Sequence, residues 1–396
     1  MRPHTSLVHF DPCPGDPFRA IATPIYQTAT FDQESAQEFG RFDYSRSGNP
    51  TRQVLEDHLA RIDGGVRALT YSSGLAALAA VVRLLKPGDE VLANDDLYGG
   101  TYRLLSKVFE PRGIVTRYAD LTDPGAAAAA ITPRTKLIHT EALTNPLLRV
   151  CDVRALAKVA HDAGAKLSID STSLSPYLLR PLELGADFSV HSATKHLGGH
   201  SDVTAGAVVV RDAALAAELA FLHNAEGSAL SPFDSFLLLR GIKTLGIRVD
   251  RQQASATKIA HWLAAHAEIR EVLFPGLSNH PGDLVHVEQS SGPGTIVCFR
   301  TGSNDFSRRI AESLKLFNIA VSFGGVNSSV SLPCRMSHAS IPAAVRNARA
   351  LPEDLVRLSI GIEDSEDLIE DLEHAIASAF PSVCCVPVCT GTGSPV

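Results

Sequence analysis

No apolar run in the 396 residues approaches the roughly 20 that a membrane-crossing helix needs. No block of Lys or Arg occurs, and the net charge is −7. Both observations argue against nucleic acid or an anionic membrane as the main partner. The N-terminus, Met1-Arg2-Pro3-His4-Thr5-Ser6, lacks an apolar signal core and leaves little chain before the apparent start of the fold. A cytoplasmic location is therefore expected. Cysteine is sparse: Cys13, Cys151, Cys298, Cys334, Cys384, Cys385 and Cys389 form an odd, scattered set rather than a disulfide framework. The last three lie in a segment, 382–396, whose composition predicts a flexible tail with free thiols. No ligand set for a metal accompanies them. Phosphate-loop fingerprints are missing too. Neither G-x-G-x-x-G after a strand nor G-x-x-x-x-G-K-[ST] occurs, and Arg240-Gly241-Ile242-Lys243-Thr244 lacks the spacing. That counts against a nucleotide-dependent enzyme.

What is present is an ordinary folding balance, 45% hydrophobic and 20% charged, in a chain long enough for two domains. Residues 1–50 are rich in Pro and aromatics, without periodicity, and read as an extended arm. From about 55 to 215, short apolar runs alternate with helical patterns. Strands are predicted at 68–71, 90–93, 136–140, 166–170, 188–191 and 207–210. Among the helices between them is Val153 to Ala163, closed by Gly164. This alternation predicts an α/β fold with a mostly parallel central sheet, whose ligands bind beyond the carboxyl ends of the strands. A long helix is expected from about Phe233 to His266, weakest at Gly241 and Gly246, bridging to a second unit. The expected division is an arm at 1–50, a large domain at 51–250, a smaller C-terminal α/β domain at 251–381, and the tail.

Lys195 is the most informative residue. It follows the apolar strand Phe188-Ser189-Val190-His191, with hydroxyls at Ser192 and Thr194 and a turn at Gly198-Gly199. An amine beside hydroxyls suits an aldehyde cofactor that carries a phosphate. The run Lys166-Leu167-Ser168-Ile169-Asp170 ends a buried strand on a carboxylate. A strand-end Asp followed by a strand-end Lys is the pattern of a pyridoxal phosphate (PLP) enzyme, in which an acid pairs the pyridinium nitrogen.

Other constellations take two readings each. Ser72-Ser73-Gly74-Leu75 is a plain helix cap, or a helix start whose free N–H groups and positive dipole end hold a phosphate. Asp170 caps the next segment or meets the ring nitrogen. Tyr98, flanked by Gly99-Gly100, is a rim tyrosine or a face that stacks on a flat ligand. Arg357, inside the apolar strand Leu355-Val356-Arg357-Leu358, sits in a structural ion pair or binds a substrate carboxylate. Tyr44 and Arg46 lie in a surface loop, or in an arm that reaches a neighbouring subunit. His196 and His200 have a metal-like spacing, but the glycines between them favour a turn. An idle Lys195 in a non-catalytic binding protein is the remaining rival.

Together these residues resemble the Cys/Met-metabolism family of PLP enzymes, of fold type I, over about residues 18 to 380. Asp187 to Lys195, continuing through Gly199-His200-Ser201-Asp202, is the most specific stretch. Thr23 to Phe31, Glu226 to Asp234, Ile319 to Gly324 and Met336 to Pro342 look like the plant-type cystathionine β-lyase branch. By that resemblance, Lys195 bonds the cofactor aldehyde and later serves as general base. Asp170 meets the ring nitrogen, and Tyr98 stacks on the ring and helps deprotonate the incoming amine. Ser73, Gly74, Leu75, Ser192 and Thr194 hold the phosphate, joined by Tyr44 and Arg46 of a partner chain. Asn145 lies near the cofactor hydroxyl and the substrate, and Arg357 binds the substrate carboxylate. Val321 and Ser322 line the substrate side; cystathionine γ-synthases and γ-lyases usually carry Glu at the Val321 position, while plant-type β-lyases and methionine γ-lyases carry an apolar residue. The resemblance implies β-elimination of L-cystathionine to homocysteine, pyruvate and ammonia, in a homotetramer built as a dimer of dimers with shared sites. No metal, nucleic acid or membrane is implied. A methionine or cystathionine γ-lyase and a broader cysteine-S-conjugate lyase are the alternatives. Asp170-Ser171-Thr172, Ala142-Leu143 and Gly325 to Ser329 depart from the commoner pattern. A plastid location would require that a transit segment had been removed.

Overall fold

The computed structural model describes residues 1–337 and 351–380. The tail with Cys384, Cys385 and Cys389, and the His338 to Pro342 part of the last similarity stretch, lie outside the described residues. Seven strands form the first sheet: β1 (Arg67–Tyr71), β2 (Glu90–Asn94), β3 (Val115–Ala119), β4 (Thr135–Glu141), β5 (Lys166–Asp170), β6 (Phe188–His191) and β7 (Gly206–Val210). Their spatial order is β1-β7-β6-β5-β4-β2-β3. Only β7 runs antiparallel to its neighbours, β1 and β6. The other six strands therefore point the same way, and their carboxyl ends share one edge. Their interiors are apolar on both faces, as in Ile138, Leu167, Ile169, Val190 and Val208, because helices cover both sides of a parallel sheet.

A second sheet of five strands lies further along the chain: β8 (Glu271–Leu273), β9 (Ile296–Arg300), β10 (Asn318–Ile319), β11 (Ser329–Ser331) and β12 (Leu355–Ser359). Its order is β10-β11-β12-β9-β8, which puts Arg357 on the central strand opposite Cys298 and Ser331. The helix Ser365–Ala379 packs its apolar face against it through Leu368, Leu372 and Ile376.

The single long helix expected from Phe233 to His266 is two helices, Pro232–Ile242 and Leu245–Ala265. The break has a physical cause. Arg248 reaches back from the second helix and donates to the carbonyls of Gly241 (2.9 Å) and His196 (2.8 Å). The first helix can therefore stop without leaving that carbonyl unpaired. Gly241 also allows close approach: a Cβ there would stand 2.3 Å from the Gly198 carbonyl oxygen. The second helix spans both cores. Leu245 and Val249 pack with the first sheet, and Ala256, Ile259, Ala260 and Leu263 pack with the second. Residues 1–50 hold one short helix, Pro3–Val8, and little other regular structure. The main fold begins at the helix Pro50–Asp63, capped by the Asn49 side chain, which accepts from the Thr51 and Arg52 amides.

Candidate active site

At the shared edge, the segments that leave β1, β2, β4, β5 and β6 meet a loop from the second sheet around a cavity of about 540 Å³. Every site residue expected from the sequence lines it except two. Ser73, Gly74 and Leu75 enter from the end of β1, Tyr98 from beyond β2, and Asn145 from beyond β4. Asp170 ends β5, while Ser192, Thr194 and Lys195 follow β6. Val321, Ser322 and Arg357 come from the second sheet and its loop. The exceptions are Tyr44 and Arg46. They stay on the arm, with the Arg46 guanidinium 5.1 Å above the Tyr44 ring and its Nε 3.4 Å from Asn224 Oδ1.

The local geometry follows from the elements. The Ser73 hydroxyl accepts the Ala76 amide at 3.1 Å and caps the helix Gly74–Val82. The N–H groups of Gly74 and Leu75, at the first helical positions, have no acceptor within that helix, and both residues face the cavity. Gly74 has no room for a side chain, since a Cβ would lie 2.6 Å from Ser192 Cβ. Asp170 does act as a local cap, because its Oδ1 accepts the Thr172 amide at 2.9 Å, and it still lines the cavity.

Lys195 Nζ donates to Ser322 Oγ at 2.5 Å. Burial, then the nearby positive charge of Arg357, push its ammonium down to about 8, while Asp170 pulls the other way. The loop that carries it is pinned by His196, whose ring nitrogens lie 3.2 Å from the Thr172 carbonyl and 2.8 Å from Thr295 Oγ1. His196 is thus a structural residue held neutral by burial, which lowers it to about 4. Among the described residues, no group of three or more His, Cys, Asp or Glu is placed to hold a metal ion.

Arg357 is 2% exposed and has no carboxylate partner in the described structure. Its Nη1 donates to Asn145 Oδ1 and its Nη2 to the Ser322 carbonyl, both at 2.8 Å. Its buried Nε is left without a partner. The ion-pair reading of this arginine is therefore set aside: among the described residues two neutral acceptors orient it and no carboxylate pairs it. Ser322, at φ +90, serves the lysine with its hydroxyl and the arginine with its carbonyl.

Among the wall residues the sequence reading did not assign to the site are Glu141, Arg103 and Thr172. Glu141 is the last residue of β4, as Asp170 is of β5, and the two stand in register. The strand-end carboxylate that singled out Asp170 was equally available for Glu141. Arg103 lies on the helix Gly99–Leu104 that follows Tyr98, and no sequence signal separates it from an ordinary surface cation.

Comparison with known proteins identifies relatives of the whole chain. The family model described as "Cys/Met metabolism PLP-dependent enzyme" matches residues 4–377. A chloroplastic cystathionine beta-lyase of Arabidopsis thaliana is 52% identical over 366 residues, covering 92% of this chain and 79% of its own. A cystathionine beta-lyase of Neurospora crassa is 48% identical, covering 92% of this chain and 80% of its own. The crystal structure of cystathionine gamma-lyase from Lactobacillus plantarum, complexed with L-serine, superposes with a TM-score of 0.93 at 37% identity, covering 96% of this chain and 99% of its own.

Proposed function

This chain belongs to the Cys/Met-metabolism family of PLP-dependent enzymes, a membership from which we propose that it is a carbon–sulfur lyase cleaving L-cystathionine by β-elimination. With one water, the products are homocysteine, pyruvate and ammonia. The observation that carries this reading is Lys195: an amine lowered to about 8, facing a cavity whose wall also holds Asp170 and Arg357.

The residues present fit PLP. The start of the helix Gly74–Val82 supplies N–H donors and a positive dipole end for a phosphate, and Gly74 keeps the approach clear. Ser73, Leu75, Ser192 and Thr194 complete that pole. Asp170 would pair the ring nitrogen, Tyr98 would cover the ring face, and Asn145 would lie near the ring hydroxyl. Tyr44 and Arg46 would reach the phosphate of a partner chain, which accords with their distance from the cavity of their own chain. We therefore place the protein in at least a dimer, and by family likeness in a homotetramer. No helix of the described residues is long and apolar enough to cross a membrane; the cytoplasm, or a plastid, is the compartment we propose.

When bound, PLP supplies an electron sink for the pair left at Cα. The chain's own residues do the rest. Arg357 takes the α-carboxylate, with Asn145 and Ser322 fixing the guanidinium fork. Arg103 adds a second cation to the wall, suited to the distal carboxylate of cystathionine. The Tyr98 hydroxyl assists loss of a proton from the substrate amine. Lys195, whose neutral form is favoured by burial and by Arg357, takes the Cα proton. The Cβ–S bond breaks, the sulfur leaves with the electron pair, and Lys195 returns the proton to it. The Ser322 hydroxyl holds Nζ in place between these transfers.

Identification of the keto acid tests the reading. Pyruvate from L-cystathionine, lost in Lys195→Ala, is expected. Predominant 2-oxobutyrate would instead make the protein a γ-lyase, which needs a second proton removed from Cβ. Val321, apolar where cystathionine γ-lyases of the family usually carry Glu, weighs against a cystathionine γ-lyase; methionine γ-lyases share the apolar residue, so the keto acid decides between them and the β reading.

A further inference from the structure

Glu141 has no part in the chemistry above, although it lines the cavity and is 7% exposed. It ends β4 in register with Asp170, so two carboxylates stand side by side on parallel strands. That is a costly arrangement in a dry wall. Burial and the charge of Asp170 both push the Glu141 carboxyl well above the ordinary glutamate range. Two backbone donors oppose this. Oε1 accepts the Tyr98 amide at 2.6 Å and Oε2 accepts the Asn145 amide at 2.7 Å. One donor per oxygen is the arrangement that favours a carboxylate over an acid.

The identity of those donors matters. Tyr98 carries the aromatic face of the site, and Asn145 Oδ1 holds Arg357 Nη1 at 2.8 Å. One rigid carboxylate therefore spans both sides of the space where a substrate would lie. Its charge is also felt by Arg357, which burial lowers and Glu141 raises. A counter-charge at that remove supports a buried guanidinium without pairing it directly.

We propose that Glu141 is a positioning residue, whose carboxylate sets the spacing between Tyr98 and the Asn145–Arg357 clamp and so prepares the clamp for an amino-acid carboxylate. The proposal rests on the reading of this cavity as a PLP and amino-acid site. Glu141→Gln keeps the size, removes the charge and turns an amide NH₂ toward one of the two backbone N–H groups.

The test is ligand binding to holoenzyme, followed by the visible spectrum. L-alanine presents a carboxylate and has no leaving group; ethylamine presents only the amine. In E141Q, the dissociation constant of L-alanine should rise roughly 10- to 100-fold, because buried donors lose an acceptor. Ethylamine should bind within about twofold of wild type, since the amine end does not use the clamp. Glu141→Asp restores the charge but not the reach to both amides, and should recover part of the L-alanine loss. If E141Q fails to fold, the ratio of the two ligands in E141D decides by the same criterion. L-alanine affinity unchanged in a folded variant, or both ligands weakened equally, overturns the proposal. Should wild-type protein bind neither PLP nor L-alanine, it is the reading of the cavity that fails.

Discussion

The depressed basicity of Lys195 has a direct consequence for the free protein. An amine with the ordinary value of 10.5 titrates near about 8 here. At pH 7 the neutral fraction then rises from about 0.03% to about 10%, roughly 300-fold, equivalent to about 3 kcal/mol. That fraction is what a general base or a nucleophilic amine draws upon. The shift has separable causes: burial first, then the positive Arg357, with Asp170 opposing.

Reductive methylation by formaldehyde reads the neutral amine directly in cofactor-free protein, with peptide mapping to isolate Lys195 and exposed Lys86 as a reference in the same digest. The rate at Lys195 should rise with pH to a midpoint near about 8. Arg357→Met should move that midpoint upward, but not fully to the ordinary value, because burial remains. Arg357→Lys should leave it close to wild type. Asp170→Asn should move it down, since a carboxylate that favours the charged amine has gone. A wild-type midpoint at about 10 or above, or an R357M shift in the wrong direction, would refute the electrostatic account of this lysine.

Three further outcomes follow from the same geometry. Gly74→Ala drives a Cβ to within 2.6 Å of Ser192 Cβ at the phosphate pole, so PLP titration of the cofactor-free variant should give a dissociation constant at least roughly tenfold higher; equal affinity would remove Gly74 from the cofactor cradle. Arg357→Ala should raise KM for L-cystathionine by roughly 100-fold, with a smaller change in kcat, and an unchanged KM would move the carboxylate site elsewhere. Asp96, lifted by burial from 3.8 to about 6, accepts the Thr144 hydroxyl at 2.5 Å. Its folded form holds a proton more tightly than the unfolded chain does. Stability should therefore fall by about 2 kcal/mol as pH rises from about 4 to 6. Urea denaturation of Asp96→Asn should lose that part of the slope, and a slope identical to wild type would show that Asp96 does not titrate there.

The parts of this site that were legible in the sequence share a physical property: each is a local exception. Lys195 follows an apolar strand, Asp170 ends one, and Arg357 interrupts one, so each carries its anomaly within a few residues. The helix break at Lys243–Thr244 was flanked by the weak points Gly241 and Gly246, but nothing local turned weakness into a stop. The stop depends on Arg248 folding back to the carbonyls of Gly241 and His196, a contact visible only once the helix lies against the lysine loop. Tyr44 and Arg46 are a third case: they do not line the cavity of their own chain, and the role proposed for them needs a partner chain. Glu141 is different again. It carried the same strand-end signature as Asp170, but its oxygens are committed to amides 43 residues upstream and 4 residues downstream. The register of β4 with β5 turns two similar carboxylates to opposite uses. Asp170 spends one oxygen on a turn and stays on the cavity wall, while Glu141 spends both on backbone. Residue type at a strand end therefore locates the edge of the site, and the hydrogen-bond inventory of each oxygen divides chemistry from scaffolding.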